Sequence, residues 1–166
     1  MSGPDVTVAV STYGRAGLLP ALVSALADQH LPPRHFEVVI VDDGSPDDTA
    51  EVLRRLAAEA GFPLRVIEQE NRGAAAGRNA AWRAARAPVV AFTDDDCRPA
   101  PGWLEAGLRA LEGGARIAVG RTIPDPGEAH LLAHPFSRSL TMEDARFFQT
   151  ANAFYRRTDL EAVGGF

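Results

Sequence analysis

Three consecutive carboxylates, Asp94-Asp95-Asp96, directly follow the apolar run from Pro88 to Phe92. Val-Val-Ala-Phe reads as a buried strand, so the acids stand where that strand leaves its sheet. Three anions at one point repel each other unless a cation joins them. A hard divalent ion with oxygen ligands suits them, and Mg2+ or Mn2+ commonly bridges carboxylates to a substrate's phosphates. On an extended chain Asp94 and Asp96 share one side and Asp95 faces elsewhere. The pattern points to an enzyme or binder acting on a phosphorylated ligand. Cys97 reads as a small packing residue, because neighbouring anions raise a thiol's pKa and blunt its reactivity.

Two more clusters have chemical potential. Asp42-Asp43-Gly44-Ser45 ends another apolar run. A carboxylate accepts hydrogen bonds only, so one of these acids would select a ligand donor such as a base N–H. Ser45 reads as a helix N-cap with Pro46 in the first helical position, and Asp47 and Asp48 suit the positive end of the dipole. The stretch from Asn71 to Asn79 is rich in glycine and alanine and carries Arg72 and Arg78. Small residues allow close backbone approach, and a helix start attracts phosphate. Arg78 has two readings: it reaches a diphosphate, or it braces the aspartates. The chain has no lysine, which excludes a Walker loop, and the first strand lacks a G-x-G-x-x-G fingerprint. His130 and His134 are four apart, but Pro135 follows and no carboxylate is fixed beside them. Trp82 and Trp103 fall at apolar helical positions and read as core.

The elements that must position these clusters alternate. Strands are expected at 6–10, 37–41, 64–67, 88–92 and 117–119, with a further one within 147–155. Helices are expected through Leu18 to Leu26, from Ser45 to Gly61, from Gly73 through Arg86, from Pro101 to Gly113, and over 158–163. The segment 128–143 reads as irregular with one short helix. Alternation of this kind predicts a mainly parallel α/β sheet, Rossmann-like, with helices on both faces. Ligands of such sheets sit beyond the carboxyl ends of the strands, where the three clusters converge.

The 166 residues amount to one domain, 46% hydrophobic and 23% charged, enough to build a core. A net charge of −5 argues against a general nucleic-acid binder. One cysteine fits a reducing compartment. No basic stretch leads into an apolar core at the N-terminus, and no apolar run approaches about 18 residues, so neither a signal peptide nor a membrane span is expected. The expected location is cytoplasmic.

Five stretches together resemble the family 2 glycosyltransferases. They are Val8 to Arg15, Val39 to Ser45, Asn71-Arg72-Gly73 through Gly77-Arg78-Asn79, Phe92 to Asp96, and Thr150 to Arg157 with Gly164-Gly165-Phe166. The resemblance runs across nearly the whole chain in order. It implies a GT-A fold, a nucleotide-diphosphate sugar donor (typically a UDP-sugar), a Mg2+ or Mn2+ ion, and inversion at the anomeric carbon. It places Thr12, Tyr13 and Arg15 around the base. Asp43, with Asp42 nearby, is placed against uracil, and Arg78 by the nucleotide. Asp94 is placed towards the ribose with Asp95 beside it, and Asp96 on the metal. In that family the general base follows the Gly-Gly-Phe segment, so the base is expected beyond Phe166 and the chain reads as shortened. Glu143 and Asp144 form an acidic pair, but they precede Asn152 and match the wrong position. A shortened chain would leave apolar surface exposed, which favours self-association. The competing reading is an inactive nucleotide- and metal-binding domain. A carboxylate near the donor's anomeric carbon separates the two. A nucleotidyltransferase would favour a glycine-rich basic loop after the first strand, where Ser11-Thr12-Tyr13-Gly14 has one glycine. The acceptor is not legible.

Overall fold

The computed structural model describes residues 3–125, 127 and 150–166. Four strands are parallel: β1 Val6–Thr12, β2 Phe36–Asp42, β3 Leu64–Glu68 and β4 Val89–Thr93. Two more close the sheet in the antiparallel sense, β5 Ile117–Val119 and β6 Asn152–Arg156. The strand order is β3-β2-β1-β4-β6-β5. The mainly parallel expectation therefore holds, with an antiparallel edge built after β4.

Each central strand is apolar on both faces because helices cover both. On one side α1 Leu19–Ala27, α2 Thr49–Glu59 and α4 Trp103–Glu112 pack Leu22, Leu26, Leu53 and Leu104 against Val8, Val10, Val38 and Ile40. On the other side α3 Ala74–Arg83 and α5 Arg157–Val163 bring Ala81, Trp82 and Leu160 to Ala9, Val39, Val41 and Phe92. Trp82 is core as expected. Trp103 is half-buried, its ring tilted against Phe154 and its indole N–H donating to Asn152 at 2.8 Å.

Helix α3 lies unusually close to the sheet. A Cβ at Gly77 would stand 2.1 Å from Ser11 Oγ and 2.9 Å from Ser11 Cβ. The missing side chain lets the second turn of α3 touch the end of β1, which carries Arg78 over the carboxyl edge of the sheet.

One element begins later than its sequence suggests. Helix α2 starts at Thr49 with Asp48 before it, not at Ser45-Pro46. Ser45 has a different partner: its hydroxyl donates to Asp42 Oδ1 and accepts from the Gly14 N–H at 2.8 Å. The serine ties two strand ends together instead of capping a helix. Asp47 serves the helix entry, accepting from the Thr49 hydroxyl and N–H. The Thr49 hydroxyl, chiefly, holds the Asp47 carboxyl below the usual carboxylate range.

Candidate functional site

The chain moves outward from β1 to β2 to β3, then crosses back to place β4 on the other side of β1. Such a reversal opens a crevice between the carboxyl ends of the two diverging strands. Thr12 ends β1 and Asp95 follows β4, and the two meet in that crevice. The Thr12 hydroxyl donates to Asp95 Oδ2 at 2.7 Å, with both residues buried.

The aspartates do not continue the strand. The Cys97 N–H donates to the Asp94 carbonyl at 3.1 Å and closes a turn over 94–97. Extended-chain alternation therefore fails here, and the partners divide differently. Asp94 takes the α3 side and pairs with Arg78 at 2.9 Å. Asp95 and Asp96 share Arg15, whose Nη1 stands 2.9 Å from an oxygen of each. Two arginines thus supply the opposing charge that the carboxylates require. Asp95, more than any other group, raises the Arg15 pKa above its ordinary value. Burial, with the charges of Asp96 and Asp94 adding to it, pushes the Cys97 thiol up to about 11.

Asp42 and Asp43 lie across β1 from this turn, both buried. Asp42 pairs with Thr12 in the sheet register and holds Ser45 through its N–H and its hydroxyl. Asp43 faces α3. Its Oδ1 accepts from Gln69 Nε2 at 2.6 Å and the Arg72 N–H at 3.0 Å, and its Oδ2 from the Gly73 N–H at 2.7 Å. Gly44 makes this geometry possible. Its φ is +75°, and a Cβ there would stand 2.8 Å from the Asn71 nitrogen, so the 69–73 loop can close onto the end of β2. A carboxylate has about four acceptor sites, and three donors leave capacity for one more.

The structure thus gathers Thr12, Arg15, Asp42, Asp43, Arg78, Asp94, Asp95 and Asp96 along one edge. Tyr13 stands beside them, half exposed. Arg15 meets the aspartates of the β4 turn, and the hydroxyl of Thr12 is spent on Asp95. Glu143, Asp144, His130 and His134 lie outside the described residues. Among the described residues no three His, Cys, Asp or Glu side chains gather as a metal cage. The donor set nevertheless suits Mg2+ or Mn2+. These ions take oxygen ligands and are commonly held by one or two carboxylates plus substrate phosphates. Asp96, with half its side chain exposed, and the partly exposed Asp94 are the carboxylates placed to serve.

Three amides of this region were given no role by the sequence, although Asn79 lies within one of the resembling stretches. Gln29 is buried just beyond α1, donates to the Ala100 carbonyl at 2.8 Å and accepts from the Leu104 N–H at 3.1 Å, fixing the segment after the aspartates. Gln69 is held by Asp43. Asn79, next to Arg78, clasps Phe166 by its N–H at 3.0 Å and its carbonyl at 2.9 Å.

A sheet that reverses at β1, with helices on both faces and acids at the reversal, is the architecture of the GT-A glycosyltransferases. The chain belongs to Glycosyl transferase family 2, whose family model matches residues 7–164. It is 31% identical over 98% of its length to the glycosyltransferase AglE of Haloferax volcanii, of which it covers 56%. It is 33% identical over 86% of its length to validoxylamine A glucosyltransferase of Streptomyces hygroscopicus subsp. limoneus, of which it covers 32%. Its fold matches S. aureus TarS 1-349 in complex with UDP, with a TM-score of 0.72 at 24% identity, over 96% of this chain and 49% of that one. It also matches mannosyltransferase PcManGT from Pyrobaculum calidifontis in complex with GDP-Man and Mn2+. There the TM-score is 0.65 at 26% identity, over 100% of this chain and 48% of that one. The chain thus spans about half the length, or less, of these relatives.

Proposed function

We propose that this domain binds a nucleoside-diphosphate sugar, a UDP-sugar first of all, and serves metal-dependent transfer of the sugar to an acceptor hydroxyl with inversion. The observation that carries this reading is the crevice itself. The Asp94–Cys97 turn, Arg15 and Arg78 meet there at the carboxyl ends of β1 and β4. Arginine forks suit diphosphate oxygens, and carboxylates suit a hard ion and sugar hydroxyls. Family membership and structural neighbours in complex with UDP or with GDP-Man and Mn2+ support it.

Each residue then has a task. Tyr13 offers an exposed ring for the base, and Asp43 retains capacity for a base N–H. Arg78 on α3 reaches the diphosphate. Asp94 accepts from the ribose, and Asp96 with it holds Mg2+ or Mn2+. The ion supplies electrostatic stabilisation of the charge that develops on the departing diphosphate. Thr12 acts behind the site, holding Asp95, the buried partner of Arg15. One displacement by the acceptor oxygen, with its proton passing to a base, inverts the anomeric centre. The resemblance assigns that base to a residue after the Gly-Gly-Phe segment.

Calorimetry with UDP and Mn2+ tests the reading. Asp96→Ala is expected to keep the fold and to lose metal-dependent UDP affinity by more than the about 10–100-fold that an outer partner of a metal costs. Unchanged affinity in the variant would refute the metal assignment. No binding of either UDP or GDP by the unchanged domain would refute the donor site.

A further inference from the structure

Arg15 occupies the place of a cation shared between two carboxylates. Its Nη1 lies 2.9 Å from Asp95 Oδ1 and 2.9 Å from Asp96 Oδ2. The two acids are unlike. Asp95 is buried and pinned by the Thr12 hydroxyl, so it cannot turn away. Asp96 is 51% exposed, and its other oxygen meets the weak thiol donor of Cys97 at 3.7 Å. Arg15 itself is 48% exposed on a long side chain that enters from the loop after β1. It can swing; Asp95 cannot.

A divalent ion approaching Asp96 with Arg15 in place meets a like charge at hydrogen-bonding range of the same carboxylate. Either the ion stays out or the guanidinium leaves. Leaving costs little only when another anion is offered, and a diphosphate is such an anion, matched to the planar fork of arginine. Arg78 pairs with Asp94 alone among the three aspartates, so Arg15 is the guanidinium that stands on Asp96.

We propose that Arg15 is a built-in competitor for the divalent cation at Asp96. Without nucleotide it holds the carboxylate. The diphosphate of an arriving donor draws the guanidinium off and opens Asp96 to the ion. This rests on the reading of the crevice as a nucleotide-diphosphate site. Metal and nucleotide therefore bind with positive coupling, and the coupling is reciprocal because it is a free energy shared by two sites. The cation stays charged throughout, because Asp95 first and Asp96 next favour its protonated form. The domain would discriminate against a bare ion and admit it with its phosphate partner.

Bound Mn2+ is counted by electron paramagnetic resonance of the free ion, with and without UDP, and UDP binding is measured by calorimetry. The unchanged domain, Arg15→Gln and Arg15→Lys are compared. Without UDP, Arg15→Gln is expected to bind Mn2+ about tenfold more tightly than the unchanged domain, within the usual span of coupling between sites. Its gain in Mn2+ affinity on adding UDP is expected to shrink by a similar factor. Arg15→Lys keeps a cation at the position and is expected to stay near the unchanged domain. Equal or weaker Mn2+ binding by Arg15→Gln in the absence of UDP overturns the proposal, as does a lysine variant as tight as the glutamine one. If UDP still binds the unchanged domain in those cases, only the competition is lost. If neither UDP nor GDP binds the unchanged domain, with or without Mn2+, the donor site is lost and the competition with it.

Discussion

Thr12 and Asp95 lie 83 positions apart in sequence and share a hydrogen bond in the crevice. That bond gives the aspartate triplet its internal division. Asp95 becomes a fixed buried acid, while Asp94 and Asp96 are left partly exposed on either side of it. Buried carboxylates are tolerated only when charges or donors meet them, and each one here is met: Asp95 by Thr12 and Arg15, Asp43 by three donors from the 69–73 loop, Asp42 by Ser45. Hydrogen bonds from the Asp94 backbone and the Thr93 side chain favour the Cys97 thiolate, but too weakly to offset its burial. Burial, before the charges of Asp96 and Asp94, lifts its pKa to about 11. A raised thiol pKa means less thiolate at a given pH, and only the thiolate is nucleophilic. At pH 8 the metal-free protein is expected to react with iodoacetamide about two hundredfold more slowly than an ordinary exposed cysteine of pKa about 8.5. Mass spectrometry of the alkylation time course reads this directly. A rate near that of a free thiol would show that Cys97 is open to solvent.

At the scale of elements, the approach of α3 to β1 has a test of its own. Gly77→Ala adds a methyl group 2.1 Å from Ser11 Oγ and 2.9 Å from Ser11 Cβ. Alanine gains about 1 kcal/mol in helix propensity, whereas overpacking costs about 1–3 kcal/mol. Rotating the Ser11 hydroxyl away relieves only the nearer contact, so the packing term is expected to win and the urea midpoint to fall. Ser11→Gly removes both atoms, and the double variant is expected to recover part of the loss. Strict additivity of the two changes would show that the contact is not what keeps residue 77 small. Strands β1, β2 and β4 were legible as near-continuous apolar runs of the right length and β3 as a shorter one, but the reversal after β3 was not, since alternation with helices leaves the strand order open. Strand β6 was legible only loosely, since Asn152 and Arg156 bound it with polar residues and its core is three residues, Ala153 to Tyr155. Ser45 followed by proline and two acids looks like a helix start. What decides its role is Asp42 three residues earlier and Gly14 in the loop after β1, partners that local patterns do not reveal. The same holds for Asp95, whose direction is set by a turn rather than by strand alternation, and for Gln29 and Asn79, which bond backbone distant in sequence.

Across the whole molecule the two ends of the sheet divide the charge differently. At the amino end of β2, Glu37 is buried and shared among the Thr7 hydroxyl at 2.8 Å, the Arg86 N–H at 2.8 Å and Arg65 at 3.2 Å. That network joins β1, β2, β3 and the residues entering β4, and its acceptors are spent on the fold. At the carboxyl end the acids and arginines reach partly exposed positions, which leaves charge for a ligand to meet. No helix among the described residues is long and apolar enough to cross a membrane. A ligand that binds the carboxyl end should therefore stabilise the sheet as a whole, because β1, β2, β4 and α3 all converge on the crevice. With UDP and Mn2+ at about 100 times the dissociation constant, binding adds about 2.7 kcal/mol and Tm is expected to rise by about 5–10 °C for a domain of this length. UDP without Mn2+ is expected to give a smaller shift, and Asp96→Ala to abolish the difference between the two conditions. GDP with Mn2+ serves as the comparison, since UDP and GDP-Man are each named with one of the structural neighbours. A larger shift with GDP would move the donor to a guanine nucleotide and leave the crevice in place. No shift with either nucleotide in the presence of Mn2+ would remove the crevice from consideration as a donor site.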